Sequence, residues 1–124
     1  MLPDGSVAVS AATMVRVNAA ATLASSVPSG RTVTRATRIV LTETIRPTGA
    51  DVGRGRARFD LNLLVGSTWV RKRTLYAWAD PASGRARVTV TLPSTGRWWV
   101  RSRAEPTAST GASAWTTGVR YPVR

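Results

Sequence analysis

The sequence contains no cysteine and no histidine. Without cysteine, no disulfide bond can stabilise the fold, and thiolate chemistry is excluded. Without histidine, the commonest general base and metal ligand is missing. Zinc sites of ordinary composition are excluded as well, because their ligands are cysteine and histidine.

Acidic residues are scarce and scattered. The six acids are Asp4, Glu43, Asp51, Asp60, Asp80 and Glu105. A glycosidase needs two facing carboxylates, and Asp51 could in principle converge with Asp60 or Asp80. However, the pattern places Asp60 on a polar strand face, and it places Asp51 and Asp80 in turns, where Asp bonds its own backbone. No Asp-x-Asp-x-Asp cluster for calcium occurs. We therefore predict that the protein is not an enzyme and holds no metal or cofactor.

Long apolar runs are also absent. No stretch has the roughly 18 consecutive apolar residues of a membrane-spanning helix, so no transmembrane segment is predicted. Residues 1–30 include Asp4, lack a basic leading region and sustain no apolar run, so no targeting signal is predicted. Two interpretations stay open: Met1 is a true start, or the chain is a fragment of a mature protein.

Positive charge, in contrast, is abundant. Eighteen basic residues, all but one of them Arg, oppose six acids and give a formal net charge of +12. They extend from Arg16 to Arg124 and form no single tail. Arg beside much Ala, Val, Thr and Gly is typical of a GC-rich genome, so codon bias is one explanation of the excess. Whatever its origin, the charge attracts polyanions by long-range electrostatic steering.

The apolar residues repeat with a period of two, which is the period of a β-strand. In residues 58–65, Phe59, Leu61 and Leu63 share one face while polar residues occupy the other. The same alternation occurs in residues 14–23, 85–92 and 119–124, and residues 37–45 form a β-branched run. Within that run Glu43 falls on the apolar face, which indicates a β-bulge or an edge strand.

Turn signals rich in Pro, Gly and Asp separate these stretches. They are Pro28-Ser29-Gly30, Pro47-Thr48-Gly49, Val65-Gly66-Ser67-Thr68, Asp80-Pro81-Ala82-Ser83-Gly84 and Pro93-Ser94-Thr95-Gly96. Only the Ala-rich residues 7–24 could compete as a helix, and their alternation favours a strand. The pattern predicts an all-β fold of about seven to eight antiparallel strands, as a two-sheet sandwich or a barrel. We expect residues 1–11 to be an N-terminal arm and residues 12–124 to form the sandwich.

The order of these elements resembles the bacterial immunoglobulin-like domains of actinobacterial type, which occur in surface and virion proteins. The resemblance rests on an apolar strand ending at Pro47, a hairpin with Gly66 before Trp69, the turn at residues 80–84, and the strand that begins Gly96-Arg97-Trp98-Trp99-Val100. It covers residues 12–124. It implies an immunoglobulin-like sandwich that serves as a structural or binding module.

A cationic face is predicted on that sandwich. In residues 97–104, alternation puts Trp98 in the core and Trp99 on the outer face. If residues 85–92 pair with this strand as a hairpin, one sheet face carries six candidate partner-binding residues: Trp99, Arg97, Arg101, Arg103, Arg85 and Arg87. Opposed like charges destabilise a sheet, and an acidic partner would relieve that cost. Solvation and salt screening are the competing explanation, and Trp99 is either an interface residue or simply a ring on which guanidinium groups stack.

The leading functional hypothesis is a non-catalytic structural or binding module, extracellular or on the cell surface, that contacts a protein partner, a second copy of itself or an acidic surface. A first alternative is a protein that binds nucleic acid or another anionic polymer, because single-strand binders combine basic grooves with stacking aromatics. Few aromatics are available, however, and no recognised nucleic-acid motif occurs. A second alternative is a phage capsid decoration or tail component, located in the virion.

Overall fold

A computed structural model describes residues 17–48, 54–107 and 110–124 of the chain. The predicted N-terminal arm and Asp51 lie outside these ranges. Within them the period-two stretches form nine β-strands. They are β1 (Val17–Asn18), β2 (Ala20–Ser25), β3 (Ile39–Arg46), β4 (Arg56–Val65), β5 (Thr68–Trp78), β6 (Arg85–Val90), β7 (Gly96–Ala104), β8 (Thr110–Gly111) and β9 (Val119–Val123).

Seven of the strands make two antiparallel sheets. One sheet has the order β2-β3-β6, and the other has the order β5-β4-β7-β9. The short strands β1 and β8 pair in parallel beside them. The prediction of an all-β, two-sheet antiparallel sandwich is confirmed.

The core lies between the two sheets and holds the inward-facing residue of each alternating pair. Trp98, Tyr121 and Phe59 are the largest fully buried side chains, and Ile39 and Leu41 of β3 pack from the opposite sheet. The prediction that Trp98 belongs in the core is confirmed. Apolar burial of this kind is the main stabilising term, because no disulfide bond is available.

The two edges of the four-stranded sheet differ. Along β9, the segment after β2 forms a parallel bridge between Val33 and Val123, and the Val33 amide donates a 2.9 Å hydrogen bond to the Pro122 carbonyl. This segment covers the edge of β9, which reduces pairing with other chains. The edge of β5 carries Arg71, Lys72 and Arg73 at its centre, where a bulge interrupts the register with β4. Charge and a bulge protect such an edge.

The prediction that β6 and β7 form a hairpin is wrong. Residues 91–95 carry the chain from the three-stranded sheet to the four-stranded one, so β6 and β7 are not neighbours. Leu92 is fully buried within this connection, and the Trp98 indole donates a 2.8 Å hydrogen bond to the Ser94 carbonyl. A turn rich in Pro and Gly therefore supports a crossing between sheets as readily as a hairpin.

The prediction of a bulge or an edge strand at Glu43 is also wrong. β3 is the central strand of its sheet, and Glu43 lies in continuous register with Leu23 of β2 and Ala86 of β6. Its side chain has no exposed surface. Glu43 thus falls on the apolar face of its strand because its side chain is buried between the two sheets.

Candidate anion-binding surface

The outer face of the four-stranded sheet collects the arginine and aromatic side chains of four strands. Pairing of β4 with β7 puts Arg58 opposite Arg103 and Asp60 opposite Arg101. Pairing of β7 with β9 puts Trp99 opposite Arg120. Because alternate residues of a strand share a face, these side chains form one continuous surface.

Trp115, from the loop between β8 and β9, lies at the centre of this surface. The guanidinium carbons of three arginines lie near its ring centroid: Arg101 at 4.2 Å, Arg103 at 4.8 Å and Arg58 at 5.5 Å. Each distance is within the range of a cation–π contact. One indole ring therefore organises the charges of two adjacent strands.

A second group of rings lies towards β9. The Trp69 and Trp99 rings meet edge to face, with centroids 5.7 Å apart. Arg120 lies 5.5 Å from the Trp69 ring and 5.4 Å from the Trp99 ring, and Arg101 lies 5.0 Å from the Trp99 ring. Arg101 is thus held between Trp99 and Trp115.

A third group lies at the β5 edge. Arg56 lies 4.4 Å from the Tyr76 ring and 5.7 Å from the Trp78 ring, and Arg54 lies 5.6 Å from Trp78. Tyr76 is 48% exposed and Trp78 is 56% exposed. We call the whole surface the Arg–Trp face. Its members are Arg54, Arg56, Arg58, Arg97, Arg101, Arg103, Arg120, Trp69, Tyr76, Trp78, Trp99 and Trp115.

Among the described residues, two carboxylates accompany the arginines of this face. Asp60 is buried, forms a 3.0 Å ion pair with Arg58 and accepts a 3.0 Å hydrogen bond from the Thr74 hydroxyl. The hydrogen bond to Asp60 raises the pKa of Arg58. The sequence pattern predicted that Asp60 lies on the polar face of its strand; the structure has it there, opposite Arg101, and neighbouring groups bury it.

The second carboxylate is Glu105, which lies just beyond β7. It forms a 3.2 Å ion pair with Arg103 and a 3.9 Å one with Arg56. Arg101 has no ion pair within the described part of the chain, and its Nε atom is buried without a hydrogen-bond partner there. The Arg–Trp face therefore keeps a large excess of positive charge.

The loop that carries Trp115 is fixed along β7. The Thr116 amide donates a 2.8 Å hydrogen bond to the Ser102 carbonyl, and the Trp99 indole donates a 3.0 Å hydrogen bond to the Thr117 carbonyl. Gly118 has a φ of +83°, and a Cβ atom there would lie 2.4 Å from the Val100 carbonyl oxygen. Only glycine fits this position, so the close approach of the loop to β7 depends on Gly118.

The structure divides the six predicted partner-binding residues between the two sheets. Trp99, Arg97, Arg101 and Arg103 belong to β7 and lie on the Arg–Trp face. Arg85 and Arg87 are exposed on β6, which belongs to the other sheet. The prediction that all six share one face is wrong, because the chain crosses between sheets after β6.

Sequence reasoning did not assign Trp115, Arg58, Arg120 and Trp69 to the surface. A signal for Arg58 was present in the alternation at the start of β4. Phe59 faces the core there, so its sequence neighbour Arg58 is expected on the outer face. No comparable signal exists for Trp115, since its position depends on hydrogen bonds between a loop and β7.

One titratable group lies in the core, away from this surface. Burial between the sheets raises the pKa of Glu43 from its ordinary 4.5 to about 7; the nearby Ser102 hydroxyl opposes the rise, and the charge of Glu105 adds a smaller part to it. Neither carboxyl oxygen has a well-formed hydrogen bond among the described residues. A neutral carboxyl group costs less here than a charged one.

Comparison with known proteins returned no matching family model, no matching curated protein and no matching solved structure. Within the described ranges, no helix has the length and hydropathy needed to cross a bilayer.

Proposed function

We propose that the protein is a non-catalytic, immunoglobulin-like module that binds an acidic partner through the Arg–Trp face, within an extracellular, cell-surface or virion assembly. The observation that carries the proposal is the stacking of Arg58, Arg101 and Arg103 on Trp115. Arg58 donates to Asp60 through Nε and Nη2, and Arg103 donates to Glu105 through Nε. A guanidinium group has further in-plane N–H donors, and those of the three arginines suit carboxylate or other oxyanions of a partner.

The electrostatic balance of the face supports an acidic partner. Arg58 and Arg103 are directly opposed on adjacent strands, an arrangement that destabilises an isolated sheet. Asp60 and Glu105 offset part of the repulsion, while Arg101 has neither a carboxylate partner among the described residues nor full hydration. Carboxylates of a partner would complete this set of ion pairs.

The proposal is tested with two double variants that remove the same charge. Arg101→Gln with Arg103→Gln acts on the Arg–Trp face, and Arg85→Gln with Arg87→Gln acts on β6 of the opposite sheet. Each pair lowers the net charge by two. With poly-glutamate as probe in a calorimetric titration at low salt, we expect the first pair to weaken binding about tenfold, as for loss of a charged hydrogen bond. We expect the second pair to weaken it less than twofold; equal losses would show that binding follows net charge alone.

Nucleic-acid binding is the second candidate, and the exposed Tyr76 and Trp78 rings favour it because such rings stack on bases. The central rings are less suited to stacking on bases, because Trp99 and Trp115 are only partly exposed. An oligothymidylate titration between 50 and 200 mM salt decides between the two. Affinity for DNA above that for poly-glutamate, falling steeply with salt, would favour this candidate.

A role in the virion, as a capsid decoration or tail component, is compatible with the same surface. In that setting the acidic partner would be a neighbouring capsid or tail subunit. Analytical ultracentrifugation of the isolated chain distinguishes self-assembly from a separate partner, since self-assembly increases the measured mass with concentration.

A further inference from the structure

A cleft lies at one end of the Arg–Trp face, where β9 and the turn after β2 meet the end of the β4–β5 hairpin. Its residues include Leu64, Trp69, Arg97, Arg120 and Pro122, and its volume is about 550 Å³. The rings of Trp98 and Tyr121 are buried in the core, so the apolar surface that the cleft offers comes from Leu64, Trp69 and Pro122. The cleft is therefore lined in part by apolar side chains, with two arginines among the residues that surround it.

The walls of the cleft are held in place before any ligand binds. The Gly30 amide donates a 2.7 Å hydrogen bond to the Arg120 carbonyl, and the Arg120 amide donates a 2.9 Å hydrogen bond to the Ser29 hydroxyl. The Arg120 side chain stacks on Trp69 and Trp99. A site that is already ordered loses little conformational entropy on binding.

The chemistry of the cleft selects one kind of ligand. Its apolar lining suits an aliphatic or aromatic side chain, while Arg97 and Arg120 suit a carboxylate beside it. From Arg97 to Arg103 the β7 strand continues for roughly 20 Å, the length of about six extended residues. A peptide provides an apolar group and a series of carboxylates in this order, whereas an inorganic polyphosphate or a sulfated polysaccharide has no apolar side chain to place in the cleft.

We infer that the cleft binds an apolar side chain of an extended acidic peptide segment, whose carboxylates then contact the arginines of the Arg–Trp face. This inference rests on the proposed function and names its partner as a protein segment. The cleft supplies affinity through apolar burial, and the arginines supply orientation and charge complementarity.

The test uses two hexapeptides with blocked termini, each made of five glutamates and one phenylalanine. The phenylalanine is the first residue in one peptide and the last residue in the other. Two matched peptides carry serine in place of phenylalanine. Charge is identical within each pair. For at least one orientation, we expect the phenylalanine peptide to bind the wild-type protein about tenfold more tightly than the serine peptide, the order of magnitude expected for burying an aromatic side chain.

Leu64→Asn removes apolar surface from the cleft without changing charge, and we expect it to abolish the advantage of phenylalanine while affinity for the serine peptide is retained. Leu64→Met keeps an apolar side chain and should keep the advantage. A far-UV circular dichroism spectrum and a urea titration confirm that both variants fold. Because Leu64 is only partly buried, both substitutions are suited to this test.

The outcomes separate this inference from the proposed function. Equal binding of the phenylalanine and serine peptides, in both orientations, would overturn the inference and leave the proposed function standing. Binding of neither peptide nor of poly-glutamate would overturn both. Tighter binding of an oligothymidylate of the same net charge than of the phenylalanine peptide would also overturn the inference, because the ligand would then be a nucleic acid.

Discussion

The hydroxyl group of Tyr121 donates a 2.6 Å hydrogen bond to the carbonyl oxygen of Val27, 94 residues earlier in the chain. Tyr121 belongs to β9 of the four-stranded sheet, whereas Val27 follows β2 of the other sheet. The same hydroxyl group lies within hydrogen-bonding distance of the Ser25 hydroxyl. This contact joins the two layers of the sandwich, and burial raises the pKa of Tyr121.

Tyr121→Phe removes this link and keeps the ring. We expect the free energy of unfolding to fall by about 1 kcal/mol, the usual net contribution of a hydrogen bond, because the partly buried Val27 carbonyl group loses its partner. Urea unfolding followed by tryptophan fluorescence measures the change. Tyr76→Phe is the matched control, since that side chain is half exposed on the β5 edge and its replacement should change stability by less than about 0.5 kcal/mol.

Glu43→Gln is expected to change how stability depends on pH. Glu43 has a pKa of about 7 in the folded protein against an ordinary value of 4.5, so the folded state binds its proton more tightly than the unfolded state. The stability that this proton provides is complete below pH 4.5 and is lost as the pH rises to about 7. Over this range the wild-type protein should lose about 3 kcal/mol, at most, through this group.

Urea unfolding at intervals from pH 4 to pH 8 measures this loss. The Glu43→Gln protein has no proton to lose, so the decline between pH 4.5 and pH 7 should disappear from its profile. Glu105→Gln serves as the control: it removes an acid that pairs with Arg103 and Arg56. The decline should persist there in reduced size, because burial is the main cause of the raised pKa of Glu43 and the charge of Glu105 is the smallest one. A decline of equal size in the Glu43→Gln protein would contradict the assignment.

Alternation along the chain predicted which side of β2, β4, β6, β7 and β9 faces the core. It placed Trp98 inside and Trp99 outside, and it distinguished Val88 from Arg87 in the same way. This success has a physical basis, because a side chain's orientation within a strand depends only on its parity. The two-sheet fold follows from the same pattern.

Strand neighbours could not be predicted in this way. The four-residue turn at 93–96 has the composition of a hairpin, yet β6 and β7 belong to different sheets. Whether a chain turns back or crosses over depends on where buried groups such as Leu92 pack, which is a property of the whole core. Trp115 is a second example, because its position over three arginines of two strands depends on that same pairing.

Asp60→Asn is expected to destabilise the protein strongly. Asp60 is buried, pairs with Arg58 and accepts a hydrogen bond from Thr74. Neutralising it leaves the arginines of β4 and β7 without their central counter-charge. We expect a loss of about 3 kcal/mol, the size found when one partner of a buried ion pair is removed. Added salt should restore part of the stability by screening the arginines.

Asp80→Asn provides the comparison for this prediction. Asp80 lies in the exposed turn after β5, where its carboxylate accepts hydrogen bonds from the Ala82 amide and the Ser83 hydroxyl. The amide oxygen of Asn makes similar turn contacts, so the cost should stay below about 1 kcal/mol and should not depend on salt. Thermal unfolding of both variants at 50 and 500 mM salt tests the contrast.

Trp115→Ala removes the ring on which Arg58, Arg101 and Arg103 stack. Each cation–π contact contributes about 0.5–1 kcal/mol at a surface, so we expect a stability loss of about 2 kcal/mol. We also expect weaker binding of poly-glutamate, although no charge is lost, because the three guanidinium groups are no longer held in a fixed arrangement.

Trp78→Ala removes an equally large but more exposed ring that stacks with Arg54 and Arg56 at the β5 edge. It should leave poly-glutamate affinity nearly unchanged, and equal losses in the two variants would show that the centre of the face has no special role.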